Sequence, residues 1–248
     1  MSPTDPYRHH PGLRDKIRPA EDSYFRNLDM AEFDRRVAEA GMPEDWRTPD
    51  AVREARRHEV LEGRFDRDLW VFAFGSLMWD PAMEFAEVLR GRTDAYERRF
   101  CLVDTGGRGS AEHPALQLAI DDVTGAGRGC DGLAFRIEAD KIDHETFVLF
   151  RREMISHAYR PVWLQLDTVI GRIEALAFAA DHSSDRIDTT IPIAEQARMI
   201  AKAEGMLGSN AEYLTETRER LALLDLDDPY ITDLCTRVAA LRAAGTAP

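Results

Sequence analysis

One segment constrains the fold of this chain more than any other, the aromatic-rich apolar run LWVFAF at residues 69–74. Gly75 and Ser76 end this run abruptly. A short, continuous apolar run closed by a glycine is typical of a buried β-strand that enters a tight loop. The main body of the fold is therefore predicted to begin at Leu69.

The residues after this strand predict a mixed α and β structure. Five further strands are expected, at Arg99–Val103, Ala115–Ile120, Gly132–Ile137, Val162–Leu166 and Arg172–Ala179. The pattern between Asp140 and His157 is helical, with Asp140 as a suitable N-cap, and the chain is predicted to be helical after Pro192. Together these elements predict the α+β class, with a mostly antiparallel or mixed closed sheet followed by helices.

Residues 1–68 differ from the body in composition, being dense in charge and carrying six prolines. Met30, Phe33 and Val37 have the spacing of an amphipathic helix, and a second helix is predicted to start at Pro49. The apolar content is too low for an independent domain. We therefore expect an N-terminal extension, 1–68, that packs on the body or stays mobile, and a body that spans 69–243.

Charge and cysteine content exclude several classes of function. The 45 acidic residues outnumber the 32 basic ones, giving a formal charge of −13, which argues against a nucleic-acid partner. The three cysteines, Cys101, Cys130 and Cys235, are far apart and form no metal-ligand motif, so no metal site is predicted. No apolar stretch is long enough for a membrane span, and the N-terminus lacks a signal-peptide core. A cytoplasmic protein without a membrane partner is expected.

Glu153 is the most informative single residue. On the predicted helix it shares a face with Leu149 and Phe150, where a carboxylate is costly unless it is paired or functional. The neighbouring Arg151 and Arg152 are expected to point elsewhere on the helix. Two interpretations stay open at this point, a structural glutamate with a polar partner and a functional buried acid or base.

Two loops contain candidate ligand-binding residues. The turn Phe74, Gly75, Ser76 and Leu77 follows the first strand, and its successive N–H groups are able to bind an anion, although most such turns are only turns. Arg108, in a glycine-rich loop, is either a solvated side chain or a clamp for a substrate carboxylate. The chain has no nucleophile elbow, P-loop or dinucleotide fingerprint. These features favour proton-transfer chemistry on a small polar substrate.

A series of motifs resembles the ChaC-type γ-glutamylcyclotransferases. In chain order they are WVFAFGSLMWDP (70–81), ERRFCL (97–102), RGS-x-E-x-P (108–114), GCDGLAFRI (129–137), FRREM…Y-x-PVWL (150–164), EALAF (174–178) and EQARMIAKAEGMLGSNAEYL (195–214). The resemblance covers about 69–240 and implies a small mixed β-barrel with flanking helices. It also implies that 69–243 is a catalytic domain that cleaves glutathione to 5-oxoproline and Cys-Gly, without a metal or organic cofactor.

The resemblance assigns roles to individual residues. It places the catalytic glutamate at Glu153 and the substrate-binding loop at Phe74, Gly75, Ser76 and Leu77, and we add Arg108 as a further substrate-binding residue. Phe74 stands where the family usually has a tyrosine. The leading hypothesis is therefore a glutathione-cleaving enzyme. The alternatives are the same fold acting on another γ-glutamyl amine or peptide, and a γ-glutamyl-binding protein without activity. The oligomeric state is left open.

Overall fold

Five strands form a closed β-barrel in the computed structural model, which describes residues 5–39, 46–123 and 127–245. The strands of the chain are β1 (Leu69–Ala73), β2 (Glu87–Thr93), β3 (Tyr96–Asp104), β4 (Ala115–Asp122), β5 (Cys130–Ile137), β6 (Tyr159–Thr168), β7 (Gly171–Ala180), β8 (Glu204–Gly205) and β9 (Gly208–Ser209). The helices are α1 (Met30–Glu39), α2 (Asp50–Val60), α3 (Ile142–Glu153), α4 (Ile193–Lys202), α5 (Asn210–Leu223) and α6 (Pro229–Ala243).

The barrel has the strand order β1-β5-β2-β6-β7 and closes where β1 runs parallel to β7. The other neighbouring strands of the barrel are antiparallel, and β3 and β4 form a separate two-stranded ribbon. Large apolar side chains such as Phe72, Phe135 and Phe178 are fully or almost fully buried. The predicted α+β class, with a small mixed barrel, flanking helices and a helical C-terminal region, is confirmed.

Strand β2 escapes prediction because charged residues interrupt it. Its sequence, EVLRGRT, looks polar, yet Glu87 is only 3% exposed. The Glu87 carboxylate is buried because Arg8 and Arg136 both donate hydrogen bonds to it. A paired charge is tolerated in the interior where an unpaired one is not, so the polar sequence conceals a buried strand.

The start and end of α3 also differ from the prediction. Asp140 lies in a short 3₁₀ turn before the helix, and Lys141 occupies the N-cap position without a side-chain hydrogen bond that caps the helix. The expected Asp140 cap is therefore wrong. The helix ends at Glu153 instead of continuing toward His157. This early end leaves Glu153 in the last position of the helix.

The described residues before Leu69 lie against the barrel and α3. They contain α1 and α2, and Leu13, Ile17 and Leu61 are buried in the main hydrophobic core. The Arg57 guanidinium donates a 2.9 Å hydrogen bond to the Thr146 hydroxyl on α3. The segment thus packs on the body, while the division of the chain at residue 68 remains a prediction.

The buried side-chain amide of Asn210 joins α5 to the ribbon. The Asn210 side chain accepts a hydrogen bond from the Leu116 N–H and donates one to the Leu116 carbonyl, both at 2.8 Å. Ser209 begins α5 with a capping box that it forms with Glu212. These contacts fix the first turn of α5 against β4. In the part of the chain that the structure describes, no helix has the length and apolarity to cross a bilayer.

Candidate active site

Glu153 is a shielded carboxylate at the C-terminal end of α3. Its side chain is 12% exposed, and Leu149 and Phe150 on the same helix are fully buried. Burial raises the pKa of Glu153, and the charge and hydrogen bond of Arg152 offset only part of that rise. A carboxyl group with a raised pKa is suited to accept a proton and return it near neutral pH.

Arg152 connects Glu153 to the loop after β1. Its Nε lies 3.0 Å from Glu153 Oε1, its Nη2 donates a 2.7 Å hydrogen bond to Ser76 Oγ, and its Nη1 donates one to the Asp80 carbonyl. The expectation that Arg152 points away from Glu153 is wrong. Adjacent side chains diverge within a helix, but Glu153 is the last helical residue and the long arginine side chain folds back to reach it.

The loop after β1 forms one 3₁₀ turn over Ser76–Met78. Among the described residues, no acceptor is found for the backbone N–H groups of Ser76 and Leu77, as expected for the first positions of a helical turn. Gly75 has a negative φ of −131°, and a Cβ placed on it would meet only Leu118 at 3.5 Å. The N–H groups of Ser76 and Leu77 are therefore available to an anion, in the loop that Arg152 links to Glu153.

Phe74 enters the site through its backbone. Its side chain is 6% exposed and belongs to the main hydrophobic core. Its carbonyl accepts a 2.8 Å hydrogen bond from Nε of Arg98, a residue that is almost wholly buried. Arg98 also donates to the Asp131 carbonyl and, at 2.9 Å, to Asp228. Arg98 thereby ties the start of the loop to β5 and to the N-terminus of α6.

Two partly buried tyrosines, Tyr159 and Tyr213, interact electrostatically with the carboxylate. Burial raises the pKa of Tyr159 well above its ordinary value and that of Tyr213 to about 12, and the charge of Glu153 adds to both rises. The Tyr159 hydroxyl donates a 2.8 Å hydrogen bond to the Leu118 carbonyl. Both side chains are therefore neutral hydroxyl groups at pH 7, within electrostatic reach of Glu153.

Arg108 reaches the same region through Tyr213. Its guanidinium carbon lies 5.5 Å from the centre of the Tyr213 ring. Asp104 shapes the loop that carries it, accepting hydrogen bonds from the N–H groups of Gly106, Gly107 and Arg108 at 2.7–3.0 Å. Burial alone would raise the pKa of Asp104, but these hydrogen bonds outweigh burial and lower it. The loop geometry is thus held by an ionised aspartate.

One group of possible metal ligands occurs in the described ranges, formed by Asp121, Asp122 and His182. His182 Nε2 lies 2.6 Å from the Asp121 carboxylate, and Arg160 donates a 2.6 Å hydrogen bond to Asp122. These ligand atoms already have protein partners. None of the residues described above around Glu153 belongs to this group.

Comparison with known proteins identifies the family. A family model described as ChaC-like protein matches residues 69–241. This chain belongs to the ChaC-like family. The predicted resemblance is therefore confirmed, and residues 5–68 lie outside the matched region.

Named relatives of this ChaC-like protein share one activity. It is 38% identical over 178 residues to the glutathione-specific γ-glutamylcyclotransferase of Escherichia coli, an alignment that covers 71% of this chain and 74% of that protein. It is 30% identical over 178 residues to γ-glutamylcyclotransferase 2-1 of Arabidopsis thaliana, covering 68% and 82%. The crystal structure of a yeast γ-glutamyl cyclotransferase specific to glutathione matches with a TM-score of 0.62 at 16% identity, covering 70% and 96%, which shows a common fold.

The structure of the ChaC-like protein brings the predicted site residues together through intermediaries. Arg152 joins Glu153 to Ser76, and Arg108 lies over the ring of Tyr213, a residue that interacts electrostatically with Glu153. The sequence did not single out Arg152 or Tyr213 as site residues. The helical spacing of Tyr213 indicates only a core position. The one sequence feature that distinguishes it from an ordinary core residue is its hydroxyl, which needs a polar partner when buried.

Proposed function

We propose that this ChaC-like protein is a γ-glutamylcyclotransferase that cleaves glutathione to 5-oxoproline and Cys-Gly, with Glu153 as general base and acid. The observation that carries the proposal is the shielded Glu153, whose pKa is raised and whose carboxylate is tied through Arg152 to the Ser76 loop. The family match and the names of its relatives support the same reaction.

Proton transfer by Glu153 accounts for both halves of the reaction. The carboxylate takes a proton from the α-ammonium group of the γ-glutamyl residue, and the neutral amine then attacks the γ-carbonyl carbon. The amide C–N bond breaks as Glu153 returns this proton to the departing nitrogen. The attacking nitrogen, now the ring amide of 5-oxoproline, gives up its second proton through Glu153 to the released amine, which leaves as the ammonium form of Cys-Gly, so the carboxylate is regenerated. Because nucleophile and electrophile belong to one molecule, holding the substrate folded supplies much of the acceleration.

The loops provide the anion-binding groups that this reaction requires. We assign the N–H groups of Ser76 and Leu77 to the substrate α-carboxylate or the developing oxyanion, because they lack protein acceptors among the described residues. Arg108, held over Tyr213, supplies a guanidinium for a substrate carboxylate. Gly75 and Phe74 contribute through the course of the backbone, which Arg98 fixes at the Phe74 carbonyl.

A second function is favoured by one specific residue. Phe74 replaces the tyrosine usual in the family. Although its ring lies in the hydrophobic core, the missing hydroxyl takes away one hydrogen-bonding group at the start of the loop, and such a loss changes the discrimination among γ-glutamyl compounds. The same fold acting on another γ-glutamyl amine or peptide is therefore the alternative. A binding protein without activity is disfavoured, since a binder gains nothing from a shielded carboxyl with a raised pKa. A cytoplasmic location stays a prediction from the sequence.

The test is a direct assay of the full chain. Purified protein is incubated with glutathione and with several γ-glutamyl amines and dipeptides, and 5-oxoproline and the released amine are quantified by mass spectrometry. We expect 5-oxoproline and Cys-Gly in equal amounts from glutathione, formed about 10²–10⁴-fold more slowly with Glu153→Gln. Cleavage of another γ-glutamyl compound in preference to glutathione would select the alternative. Tight binding of glutathione without any product would contradict an enzymatic function.

A further inference from the structure

The N-terminal segment outside the family match crosses the outer side of the active site. The Arg18 N–H donates a 2.8 Å hydrogen bond to the Trp79 carbonyl, and its guanidinium donates one of 2.9 Å to the Asp80 carboxylate. Asp80 is the residue whose carbonyl accepts from Arg152. The segment is thus attached directly to the loop that carries Ser76.

The same segment is anchored to α3 close to Glu153. Arg26 donates two hydrogen bonds to the Glu145 carboxylate, at 2.6 and 2.9 Å. Arg151 Nη2 donates to the carbonyls of Phe25 and Arg26, at 2.8 and 2.7 Å. These contacts fix the backbone at residues 25 and 26 onto the helix that ends in Glu153.

Phe25 is placed by these anchors against Arg152. The Arg152 guanidinium carbon lies 4.2 Å from the centre of the Phe25 ring, while the polar edges of the guanidinium bond Glu153, Ser76 and Asp80. The Arg152 side chain is only 5% exposed, whereas Phe25 is 36% exposed at the surface. One face of the guanidinium is therefore covered by an aromatic ring, a favourable cation–π arrangement.

We propose that Phe25 is a positioning residue of the active site, which holds Arg152 in its hydrogen bonds to Glu153 and Ser76 by covering the guanidinium face. The inference rests on the proposed function and extends it to residues that the family match leaves out. Without the ring, water reaches the guanidinium, and Arg152 leaves its hydrogen bonds for solvent.

The pKa of Glu153 depends on the charge of Arg152 and is therefore a measure of the position of Arg152. Arg152 on the same helix supplies the positive charge, while Tyr159 of β6 and Tyr213 of α5 interact with Glu153 as neutral hydroxyl groups. Release of Arg152 removes the one influence that lowers the pKa of Glu153. The pKa of Glu153 therefore rises when the ring is lost.

The experiment compares full-length variants by carboxyl NMR. Protein labelled with ¹³C at the glutamate carboxyl groups is titrated, and the Glu153 signal is assigned by its loss in Glu153→Gln. We expect Phe25→Ala to move the Glu153 titration to higher pH. Phe25→Tyr keeps the aromatic ring, so its Glu153 pKa should equal that of the wild-type protein. The control is Phe33→Ala, which removes the Phe33–Trp46 ring contact elsewhere in the segment and leaves the titration unchanged.

Kinetics provide the second measurement. Phe25→Ala is expected to lower kcat/KM for glutathione by about 2- to 30-fold, the range that corresponds to a cation–π contact. In an Arg152→Gln background, Phe25→Ala causes no further loss if it acts through Arg152.

The two possible failures are distinguishable. A Glu153 titration in Phe25→Ala that stays in place or moves to lower pH overturns the positioning role, and so does an undiminished effect of Phe25→Ala in the Arg152→Gln background. A wild-type protein that forms no 5-oxoproline overturns the proposed function instead, and the NMR titration still decides whether Phe25 positions Arg152.

Discussion

Replacing Glu153 with glutamine should separate activity from stability. The glutamine amide has the size of the carboxylate and keeps an oxygen that accepts a hydrogen bond from Arg152 Nε. In the wild-type protein this nitrogen lies 3.0 Å from Glu153 Oε1. It cannot take a proton from the substrate amine. General-base catalysis contributes about 10²–10⁴-fold, so kcat should fall by that factor, equivalent to about 2.7–5.5 kcal/mol of transition-state stabilisation.

Stability should change in the opposite sense to activity. Because burial raises the pKa of Glu153, its ionised form opposes folding at neutral pH, by about 1.4 kcal/mol for each unit of the rise. This cost is absent below the ordinary glutamate pKa and is complete above the raised pKa. Glutamine removes it and retains a neutral hydrogen bond, so the free energy of unfolding at pH 7–8 should be unchanged or higher.

A second buried glutamate provides the matched control. Arg8 and Arg136 donate hydrogen bonds to Glu87, and although burial alone would raise its pKa, these bonds lower it. Its ionised form therefore supports folding at neutral pH, and that support is lost as the pH falls through the lowered pKa. Glu87→Gln should cost about 2 kcal/mol or more in the free energy of unfolding and leave kcat unchanged.

The assay measures 5-oxoproline formation and urea unfolding on the same preparations. If Glu153→Gln retained its kcat, Glu153 would not be the base. If it lost stability as Glu87→Gln does, and lost activity only in proportion to the unfolded fraction, Glu153 would be a structural carboxylate.

Three further predictions follow from the same contacts. In the pH profile of kcat/KM, the midpoint of the acidic limb should lie above the ordinary glutamate pKa of about 4.3, because the base must be ionised and the pKa of Glu153 is raised. A midpoint at or below that value would contradict the assignment of Glu153 as the base. Arg98→Leu should lower the free energy of unfolding by about 3–5 kcal/mol in urea titrations, since it removes the charged partner of the Asp228 carboxylate and the side-chain donor to the Phe74 carbonyl, and a loss below about 1 kcal/mol would disprove that role. Treatment with a chelator should leave the rate unchanged, and a rate that collapses and returns with a divalent ion would disprove a metal-free reaction.

The features that the sequence predicted correctly depend on local patterns. Apolar runs and turn residues indicated six of the strands, and the helical period placed Glu153 on the buried face of α3. Both patterns repeat over a few residues, so they are visible without knowledge of the fold. The location of the glutamate needed no tertiary information.

The features that escaped prediction depend on contacts between distant residues. Strand β2 looks polar in the sequence, yet it is buried. Its Glu87 is tolerated in the interior because Arg8 and Arg136, which lie far away in the chain, donate hydrogen bonds to its carboxylate. The direction of Arg152 depends on where α3 ends and on the position of the Ser76 hydroxyl. Long-range pairing of this kind has no local sequence period, so no window along the chain could have revealed it.

The parallel closure of the barrel determines when the protein is able to fold. Strand β1 pairs with β5 on one side and with β7 on the other, where Val71 lies opposite Leu176. Contacts between residues so distant in the chain slow folding, because a long loop must close before they form. During synthesis β1 leaves the ribosome long before β7, and until Gly171–Ala180 arrives, both β1 and β6 have an unpaired edge. Exposed strand edges pair with other chains, so the nascent protein is most prone to aggregate in the interval before β7 is made.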